Sequence, residues 1–255
     1  MRITMEGGTH TGVVRPHNED ALFFDRELGL CIVADGMGGQ LAGEIASRMA
    51  VELVAETVAR FPDGEPAESG PDELLSPAIR RLFSGIRLAN RQIFQAGQSK
   101  PEWRNMGTTI VAGLLNGPVL IVAHVGDSRC YLLRGGSICQ LTDDHSLVAE
   151  QVRQGLLSQE EAEVSRHKNI ITRALGAAPE VRIDICEVDV MDGDRFLLCS
   201  DGLTNMMADE EILAIIQQES DASRACNALI DRANALGGKD NITVLLLALD
   251  APRNF

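Results

Sequence analysis

The sequence predicts an α+β layered sandwich, and two observations carry this prediction. Short apolar segments are joined by tight-turn signals, such as the Asn116-Gly117 pair and the segment 134–137, which are typical of hairpins and therefore of antiparallel sheets. Helical patterns come in pairs between groups of strands and do not follow every strand. This arrangement favours a layered α+β fold over a doubly wound parallel sheet.

Two long helices are predicted on either side of a surface loop. Apolar residues recur at helical spacing over 45–58 and again over 75–94. The segment 61–72 between them is rich in Pro, Gly and acidic residues, which cannot hold a helix or a central strand. Three shorter helices are predicted further along: one begins at a capping box over 158–161, one is capped by Asp209 and runs to about 219, and one covers 222–236.

Most of the remaining chain is predicted to form short strands. These are apolar segments bounded by Gly, Asn or Asp, at 29–34, 108–115, 119–125, 129–134, 195–199 and 242–249. The segment 181–190 alternates apolar and polar residues, but its phase slips near Cys186 and Glu187. That slip predicts a β-bulge.

Composition predicts a globular protein and limits its partners. Of 255 residues, 45% are hydrophobic and 24% charged, so a sizeable core is expected and wholesale disorder is not. The formal net charge of −14 disfavours nucleic acid and anionic membranes as partners. It also repels phosphate monoesters, so a phosphate site would need its own positive charge, from a metal ion or an arginine.

The cysteines and the N-terminus predict a cytoplasmic location. None of the six cysteines forms a Cys-x-x-Cys pair, and several lie in apolar runs, as expected for buried thiols in a reducing compartment. The first eight residues show no apolar signal-peptide core, and no apolar run reaches membrane-spanning length. We therefore expect a soluble cytoplasmic protein, a monomer, with no membrane partner.

Acidic residues recur at the tips of the predicted strands. Asp35, Asp127, Asp201 and Asp240 each lie at one end of an apolar run, and the pair Glu19-Asp20 precedes the apolar stretch 21–24. A single Asp at such a position is an ordinary turn residue, but five such sites in one chain are harder to explain by turns. If the tips converge, the carboxylates cannot all stay ionised without a cation.

Oxygen-rich sites of this kind suit hard divalent ions, and no Cys or His cluster occurs at zinc spacing, so Mg²⁺ or Mn²⁺ is preferred. The glycines around Asp35 allow a close backbone approach, so the Gly36 carbonyl is a candidate ligand, although a plain flexible turn explains it equally well. Metal pairs held by carboxylates activate water and clamp phosphate oxygens. Arg15, four residues before Glu19, could bind that phosphate, although a lone arginine is usually a solvated surface group.

Six motifs follow one another along the chain: Arg15-Pro16-His17-Asn18-Glu19-Asp20, Asp35-Gly36-Met37-Gly38-Gly39, Met106-Gly107-Thr108-Thr109, Gly126-Asp127-Ser128-Arg129, Ser200-Asp201-Gly202 and Gly238-Lys239-Asp240-Asn241-Ile242-Thr243. In this order, they resemble the motifs of the metal-dependent protein phosphatases of the PPM family (the 2C type), in a compact bacterial form. The match covers nearly the whole chain. It implies a four-layer αββα sandwich, in which two antiparallel sheets are flanked by helix pairs, and a single phosphatase domain over 1–255.

The resemblance also implies a set of Mn²⁺ or Mg²⁺ ligands, for two core ions with room for a third. Asp35 would bridge the two core ions. The remaining ligands would divide between the ions: Glu19 and the Gly36 carbonyl on one, Asp201 and Asp240 on the other, and Asp127 with Asp201 at the third position.

The implied activity is hydrolysis of phosphoserine and phosphothreonine in proteins by in-line attack of a metal-bridging water, which reverses a Ser/Thr kinase. Asp20 would orient the water and Arg15 would bind the phosphate. Phosphoprotein substrates and a cognate kinase are the implied partners. The segment 146–176 resembles the family's flap, which lies beside the active site and influences substrate choice. Met37 stands where some relatives have a histidine thought to protonate the leaving group, which leaves the general acid unassigned.

Other readings of the sequence are weaker. Cys226 and Arg232 satisfy the Cys-x₅-Arg spacing of cysteine phosphatases, but the segment has no glycine and its apolar residues share one helical face. A non-catalytic regulator would be expected to lack metal carboxylates, and no Walker motif indicates nucleotide binding. The histidines, His10, His17, His124, His145 and His167, show no metal-pair spacing; we expect His124 to pack in a strand, and structural or surface roles for His17 and His145.

Overall fold

A computed structural model of the protein describes residues 1–38, 42–60 and 75–251. The strands in these ranges are β1 (Arg2–His10), β2 (Asp20–Asp25), β3 (Leu30–Met37), β4 (Gly107–Thr108), β5 (Ile110–Asn116), β6 (Val119–Val125), β7 (Arg129–Arg134), β8 (Ser137–Gln140), β9 (Asp184–Asp189), β10 (Arg195–Cys199) and β11 (Ile242–Asp250). The α-helices are α1 (Ala42–Arg60), α2 (Pro77–Ser99), α3 (Leu147–Arg153), α4 (Gln159–Glu163), α5 (Asp201–Thr204), α6 (Asp209–Gln218) and α7 (Ala222–Ala235).

The strands form two antiparallel sheets. The first has the order β1-β11-β10-β7-β8, and the second has the order β2-β3-β5-β6-β9, with β4 paired to β3. The predicted hairpin turns join β5 to β6 and β7 to β8, with Gly117, Gly135 and Gly136 at positive φ as such turns require. Antiparallel pairing throughout confirms the sheet type predicted from the turns.

Alternation along the strands places the sheets face to face between two layers of helices. In β3, Leu30 and Ile32 pack toward α1 and α2, whereas Cys31 and Val33 point between the sheets. In the same way β11 turns alternate side chains toward α6 and α7 or toward the other sheet. Each fully buried Leu or Ile contributes about 1.5–3 kcal/mol relative to exposure, so both faces stabilise the fold. The predicted four-layer αββα sandwich is confirmed.

Both predicted long helices are present; α1 extends beyond its predicted apolar face at both ends, and α2 begins at Pro77 and continues to Ser99. Ser76 caps α2 by accepting a hydrogen bond from the Ile79 amide at 3.3 Å, and Pro77 follows at the first helical position. Both predicted apolar faces are buried, against each other and against the second sheet. The loop predicted at 61–72 lies outside the described residues. Among the residues described, no helix combines the length and apolar character needed to cross a bilayer.

Two local predictions are wrong. Strand β9 carries no bulge: it pairs with β6 in one unbroken register, and its side chains alternate regularly along the strand. Because β9 is an edge strand, Ile185 can point outward with 36% of its surface exposed, and this apolar residue on the outer face mimicked a phase slip.

Asp209 does not cap α6. Ala208 occupies the N-cap position without a side-chain hydrogen bond, and Asp209 begins a run of three acidic residues in the first turn, where they interact favourably with the helix dipole. The capping box over 158–161 is confirmed, with both reciprocal hydrogen bonds present. Strand β1 escaped prediction, although it pairs with β11 over nine residues.

Candidate active site

The structure brings the strand ends of both sheets together at one end of the sandwich. From the second sheet, Asp20 begins β2 and pairs with Asp35 on β3. From the first sheet, Asp201 follows β10 and Asp240 shortly precedes β11. The Ser200 hydroxyl donates a 2.7 Å hydrogen bond to Asp20 Oδ2, which ties the end of one sheet to the other. The convergence expected from the sequence is therefore present, and we call this group, together with Glu19 and Asp127, the carboxylate cluster.

Glu19 and Gly36 meet where helix α1 begins. The Gly36 amide donates to the Glu19 carbonyl at 3.0 Å. A Cβ on Gly36 would lie 2.1 Å from the Gly43 carbonyl oxygen, and a Cβ on Gly43 would lie 2.6 Å from Glu19 Oε1. Only glycine fits at these two positions, so the backbone of β3 and α1 approaches the Glu19 carboxylate closely. Sequence reasoning missed Gly43, because nothing local distinguishes it from an ordinary helical glycine.

Asn241 is a second residue whose part in the site was missed. Its Oδ1 accepts the Glu19 amide at 2.7 Å, and its Nδ2 donates to the carbonyls of Thr11 and His17 at 2.8 and 2.9 Å. One side chain thus fixes the loop before β2 to the start of β11. Its position beside Asp240 was the available signal, but a side chain that orders backbone cannot be told from a turn residue by sequence alone.

Burial and the neighbouring negative charges raise the pKa values of acids in the carboxylate cluster. Desolvation, reinforced by neighbouring aspartates, raises the pKa of Asp35 well above its usual value. Burial likewise raises the pKa of Asp20 and of Asp127 to about 7, with the charge of Asp201 contributing at both. The pKa of Asp201 rises to about 6, mainly by burial and by the Asp240 charge, although hydrogen bonding to Asp35 works in the other direction. Carboxylates in this condition gain most from a nearby cation.

Two buried oxygens of the cluster, Glu19 Oε1 and Asp20 Oδ1, have no hydrogen-bond partner among the residues that the structure describes. A buried, unpaired carboxylate oxygen costs free energy unless something outside the protein satisfies it. The donors here are all oxygens, a set that suits Mg²⁺ or Mn²⁺ better than Zn²⁺. The residues present are therefore compatible with hard divalent ions.

Arg15 lies at the rim of the carboxylate cluster. Its Nη2 is 2.7 Å from Asp240 Oδ2, and its side chain is 51% exposed. The hydrogen bond to Asp240 raises the pKa of Arg15 further, so the guanidinium stays charged. An exposed, permanently charged fork beside buried carboxylates can reach an arriving phosphate.

Asp127 occupies the turn between β6 and β7 and opens onto a cleft of about 560 Å³. The cleft runs from Asp127 and Asp201 between the 146–176 segment and the stretch 204–210. Behind it, Arg129 binds Asp144 with three hydrogen bonds of 2.7 to 3.2 Å. That ion pair closes one wall of the cleft.

A second polar cluster lies beside the first and was not anticipated. The rings of His124 and His145 stack with centroids 4.7 Å apart, and Asp184 joins them. One potential ligand atom from each of the three lies within 4.8 Å of the others. We call this the histidine cluster. No metal-pair spacing was visible in the sequence, because His124 and His145 are distant along the chain. The expectation that His124 packs in a strand is confirmed, and His145 is buried as well.

Cys226 is no nucleophile. It lies on α7 within the helix–sheet core, and burial raises its pKa to about 12. Arg232 pairs instead with Glu211 on α6. The cysteine-phosphatase spacing is therefore the ordinary amphipathic helix favoured above. All six cysteines are free thiols.

Comparison with known proteins agrees with this geometry. The family described as Protein phosphatase 2C matches residues 8–239, so the chain belongs to that family. The serine/threonine phosphatase stp of Listeria monocytogenes is 40% identical over 245 residues, covering 95% of this chain and 94% of that protein. The serine/threonine protein phosphatase PstP of Mycobacterium tuberculosis is 38% identical over 92% of this chain and 43% of its own length.

Solved structures agree as well. The serine/threonine phosphatase PstP/Ppp of Mycobacterium tuberculosis superimposes with a TM-score of 0.85 at 34% identity, covering 98% of this chain and 99% of that one. The catalytic domain of PstP in complex with two manganese ions gives 0.82 at 34% identity, over 97% and 99% of the two chains. The family, the fold class and the enzyme class that the sequence predicted, a serine/threonine protein phosphatase, are confirmed.

Proposed function

We propose that the carboxylate cluster is the metal centre of this phosphatase and binds two Mn²⁺ or Mg²⁺ ions. Asp35 would contact both ions, Glu19 and the Gly36 carbonyl would hold one, and Asp201 and Asp240 would hold the other. The observation that carries the proposal is the meeting of buried carboxylates from both sheets, with raised pKa values and two unpaired oxygens. Such a cluster is costly unless cations neutralise it.

Asp127 is proposed to hold a third ion together with Asp201. Asp127 is buried. After burial, the charge of Asp201 is the largest cause of its raised pKa. The cleft that it shares with Asp201 gives solvent and substrate a route to that position.

The chain's own residues divide the remaining work. When bound, the ions would supply a nucleophilic water and neutralise phosphate charge. Asp20 Oδ1 is free to accept a hydrogen bond from that water, because Ser200 fixes only Oδ2. Arg15 can release Asp240 and donate two hydrogen bonds to the substrate phosphate. Met37 has no proton to give, so the leaving group must take its proton from solvent or another group.

The proposed substrates are phosphoserine and phosphothreonine in proteins. A Ser/Thr kinase of the same cell would add the phosphates that this enzyme removes. The relatives stp and PstP are named as serine/threonine phosphatases, which supports this substrate class. We propose that 1–255 acts as one phosphatase domain, a monomer working in the cytoplasm, and that the 146–176 segment is a flap beside the cleft. Free, mostly buried thiols are in keeping with a reducing compartment.

The substitution Asp35→Asn tests the metal centre. It removes the charge between the two ions while keeping the shape of the side chain, so Mn²⁺ binding measured by calorimetry should weaken at least tenfold. Hydrolysis of p-nitrophenyl phosphate should fall to background, with unchanged circular dichroism. Asp231→Asn, an exposed position on α7, is the matched control and should change neither. Near-normal turnover by Asp35→Asn would refute the proposal.

A further inference from the structure

The histidine cluster contains the residue types that bind metal ions, but its hydrogen bonds favour a role in positioning the segments around it. His145 Nδ1 accepts the Gly126 amide at 3.0 Å, so in the neutral ring Nε2 carries the hydrogen and faces Asp184 Oδ2 at 3.2 Å. Arg173 Nη1 donates to Asp184 Oδ1 at 2.8 Å; it also lies 3.0 Å from His145 Nε2, a contact without a hydrogen bond, because both nitrogens carry hydrogens. A guanidinium therefore already occupies the place that a metal cation would take.

His145 also holds the turn that carries Asp127. Its amide donates to the Gly126 carbonyl at 3.0 Å, and its ring Nδ1 accepts a hydrogen bond from the Gly126 amide. One residue therefore binds both the carbonyl and the amide of Gly126. Gly126 has φ +108°, and a Cβ there would lie 2.6 Å from Thr109 Cβ. The turn is thus fixed by close packing on one side and by His145 on the other.

The same residue closes the base of the 146–176 segment. The His145 carbonyl accepts the Thr172 amide at 2.8 Å, and the Leu147 amide donates to the Ile170 carbonyl at 2.8 Å. Arg173, near the far end of the segment, reaches Asp184 on β9. Both ends of the segment are therefore fastened at one point, next to the cleft.

We propose that His145 is a positioning residue that couples two parts of the enzyme through two different ring atoms. Nδ1 fixes the Gly126-Asp127 turn, and Nε2, through Asp184 and Arg173, fixes the base of the 146–176 segment. The inference rests on the proposed function in one respect, the assignment of Asp127 as a metal ligand. Burial, with the neighbouring His124 and Arg173, lowers the pKa of His145 to about 4, which is consistent with a neutral ring that accepts at one nitrogen and donates at the other.

A pair of substitutions separates the two functions of the ring. The amide oxygen of Asn can take the place of Nδ1, so His145→Asn keeps the acceptor for Gly126 and loses the contact with Asp184. The longer Gln places its amide near Nε2, so His145→Gln keeps the contact with Asp184 and loses the acceptor for Gly126. The same two changes at His167, an exposed histidine in the 146–176 segment, are the matched controls.

Two measurements read out the two functions. His145→Gln should weaken the lowest-affinity Mn²⁺ binding step about tenfold in calorimetry, the usual effect of losing a partner behind a metal ligand. His145→Asn should leave that step unchanged but speed hydrogen exchange of the Leu147 and Thr172 amides by about tenfold, as expected for one lost hydrogen bond. A merely structural histidine would give the same change in both variants, or in neither, and either result would overturn the proposal.

Three further variants or titrations keep the test decisive. If Asp127→Asn leaves Mn²⁺ binding unchanged, the metal assignment fails, whereas loss of binding in Asp127→Asn with normal binding in His145→Gln refutes only the coupling. If His145→Asn does not fold, Asp184→Asn tests the same contact and should show the same faster exchange; unchanged exchange would overturn the second half. A Zn²⁺ binding step in the wild-type protein that either His145 substitution removes would identify a metal site and overturn the proposal entirely.

Discussion

The carboxylate cluster and the histidine cluster lie on either side of the Gly126-Asp127 turn, and they balance their charges in opposite ways. In the histidine cluster, Arg173 neutralises Asp184 and both ring nitrogens of His145 have partners. In the carboxylate cluster, several buried and half-buried acids face one another, two oxygens lack partners among the described residues and Arg15 lies only at the rim. The histidine cluster is satisfied within the protein, whereas the carboxylate cluster would gain most from cations in solution. This difference is what the two proposals above predict for a network that positions other residues and for one that binds ions.

Removal of divalent ions should break the comparison most severely. With excess EDTA, hydrolysis of p-nitrophenyl phosphate should fall to background, because the proposed ions supply the nucleophilic water and Arg15 alone cannot replace that function. Added Mn²⁺ should restore activity and raise the unfolding free energy by about 2.7 kcal/mol at a hundred times its dissociation constant. Activity and thermal unfolding, measured in the same samples, check both effects. Full activity after dialysis against EDTA would contradict the assignment.

The two arginines sharpen the comparison, because Arg15 is exposed and Arg173 is part of a closed network. Arg15→Ala should raise KM for a phosphopeptide about tenfold, the effect of losing a charge-assisted hydrogen bond, with a smaller change in kcat. Its stability should hardly change, since an exposed ion pair contributes little. Steady-state kinetics and urea unfolding give both quantities.

Arg173→Ala is the matched variant and should show the reverse pattern. Among the described residues, it leaves Asp184 with only the exposed Arg182, whose Nε lies 3.3 Å from Oδ1, so the unfolding free energy should fall, while KM for p-nitrophenyl phosphate stays within about twofold of wild type. For the Arg15→Ala variant, by contrast, a lower kcat with an unchanged KM would contradict the proposal that Arg15 binds the substrate phosphate.

The last prediction is a pH dependence of stability in EDTA. In the folded protein the pKa of Asp20 and Asp127 is about 7 and that of Asp201 about 6, all raised mainly by burial from 3.8. Between about pH 4 and 7 the folded state therefore binds more protons than the unfolded state, so stability falls as the pH rises. Saturating Mn²⁺ should remove this fall, because the ions favour the ionised carboxylates.

The histidine cluster should act in the opposite direction over part of that range. The pKa of His145 is lowered from 6.5 to about 4, chiefly by burial, so the unfolded state takes up the extra proton and stability rises with pH between these values. Burial also raises the pKa of Asp35 and lowers that of His124, so the carboxylates with raised pKa values still outnumber the histidines with lowered ones, and the net trend should be a loss of stability as the pH rises. Urea unfolding in EDTA at pH 5.5 and 7.5 measures it; greater stability at pH 7.5 would show that the carboxylates are less perturbed than their burial indicates.

Local sequence was enough to find the acidic residues of the carboxylate cluster but not the residues that contact and support them. Asp35, Asp127 and Asp201 were visible because each ends an apolar strand, a signal contained within a few neighbouring residues. Gly43, Asn241 and the pairing of His124 with His145 depend on contacts between distant segments, which no local pattern records.

The elements show the same division. Helix faces, hairpin turns and the 158–161 capping box follow local rules and were predicted. Strand β1 was missed because Gly7 and Gly8 interrupt its alternation, and its strand conformation comes from pairing with β11. The incorrect bulge in β9 and the incorrect cap at Asp209 have a similar origin, since the edge position of the strand and the exact first residue of the helix are set by tertiary packing.

The pairing of β1 with β11 has a consequence for how the enzyme is made. Residues near position 5 and residues near position 247 are neighbours in the finished sheet, and β11 lies between β1 and β10. During translation, β1 and β10 remain without the strand that lies between them until residues 242–250 have been made. Asp240 and Asn241 are synthesised just before that strand, so a chain that ends before them can form neither the complete first sheet nor the complete carboxylate cluster.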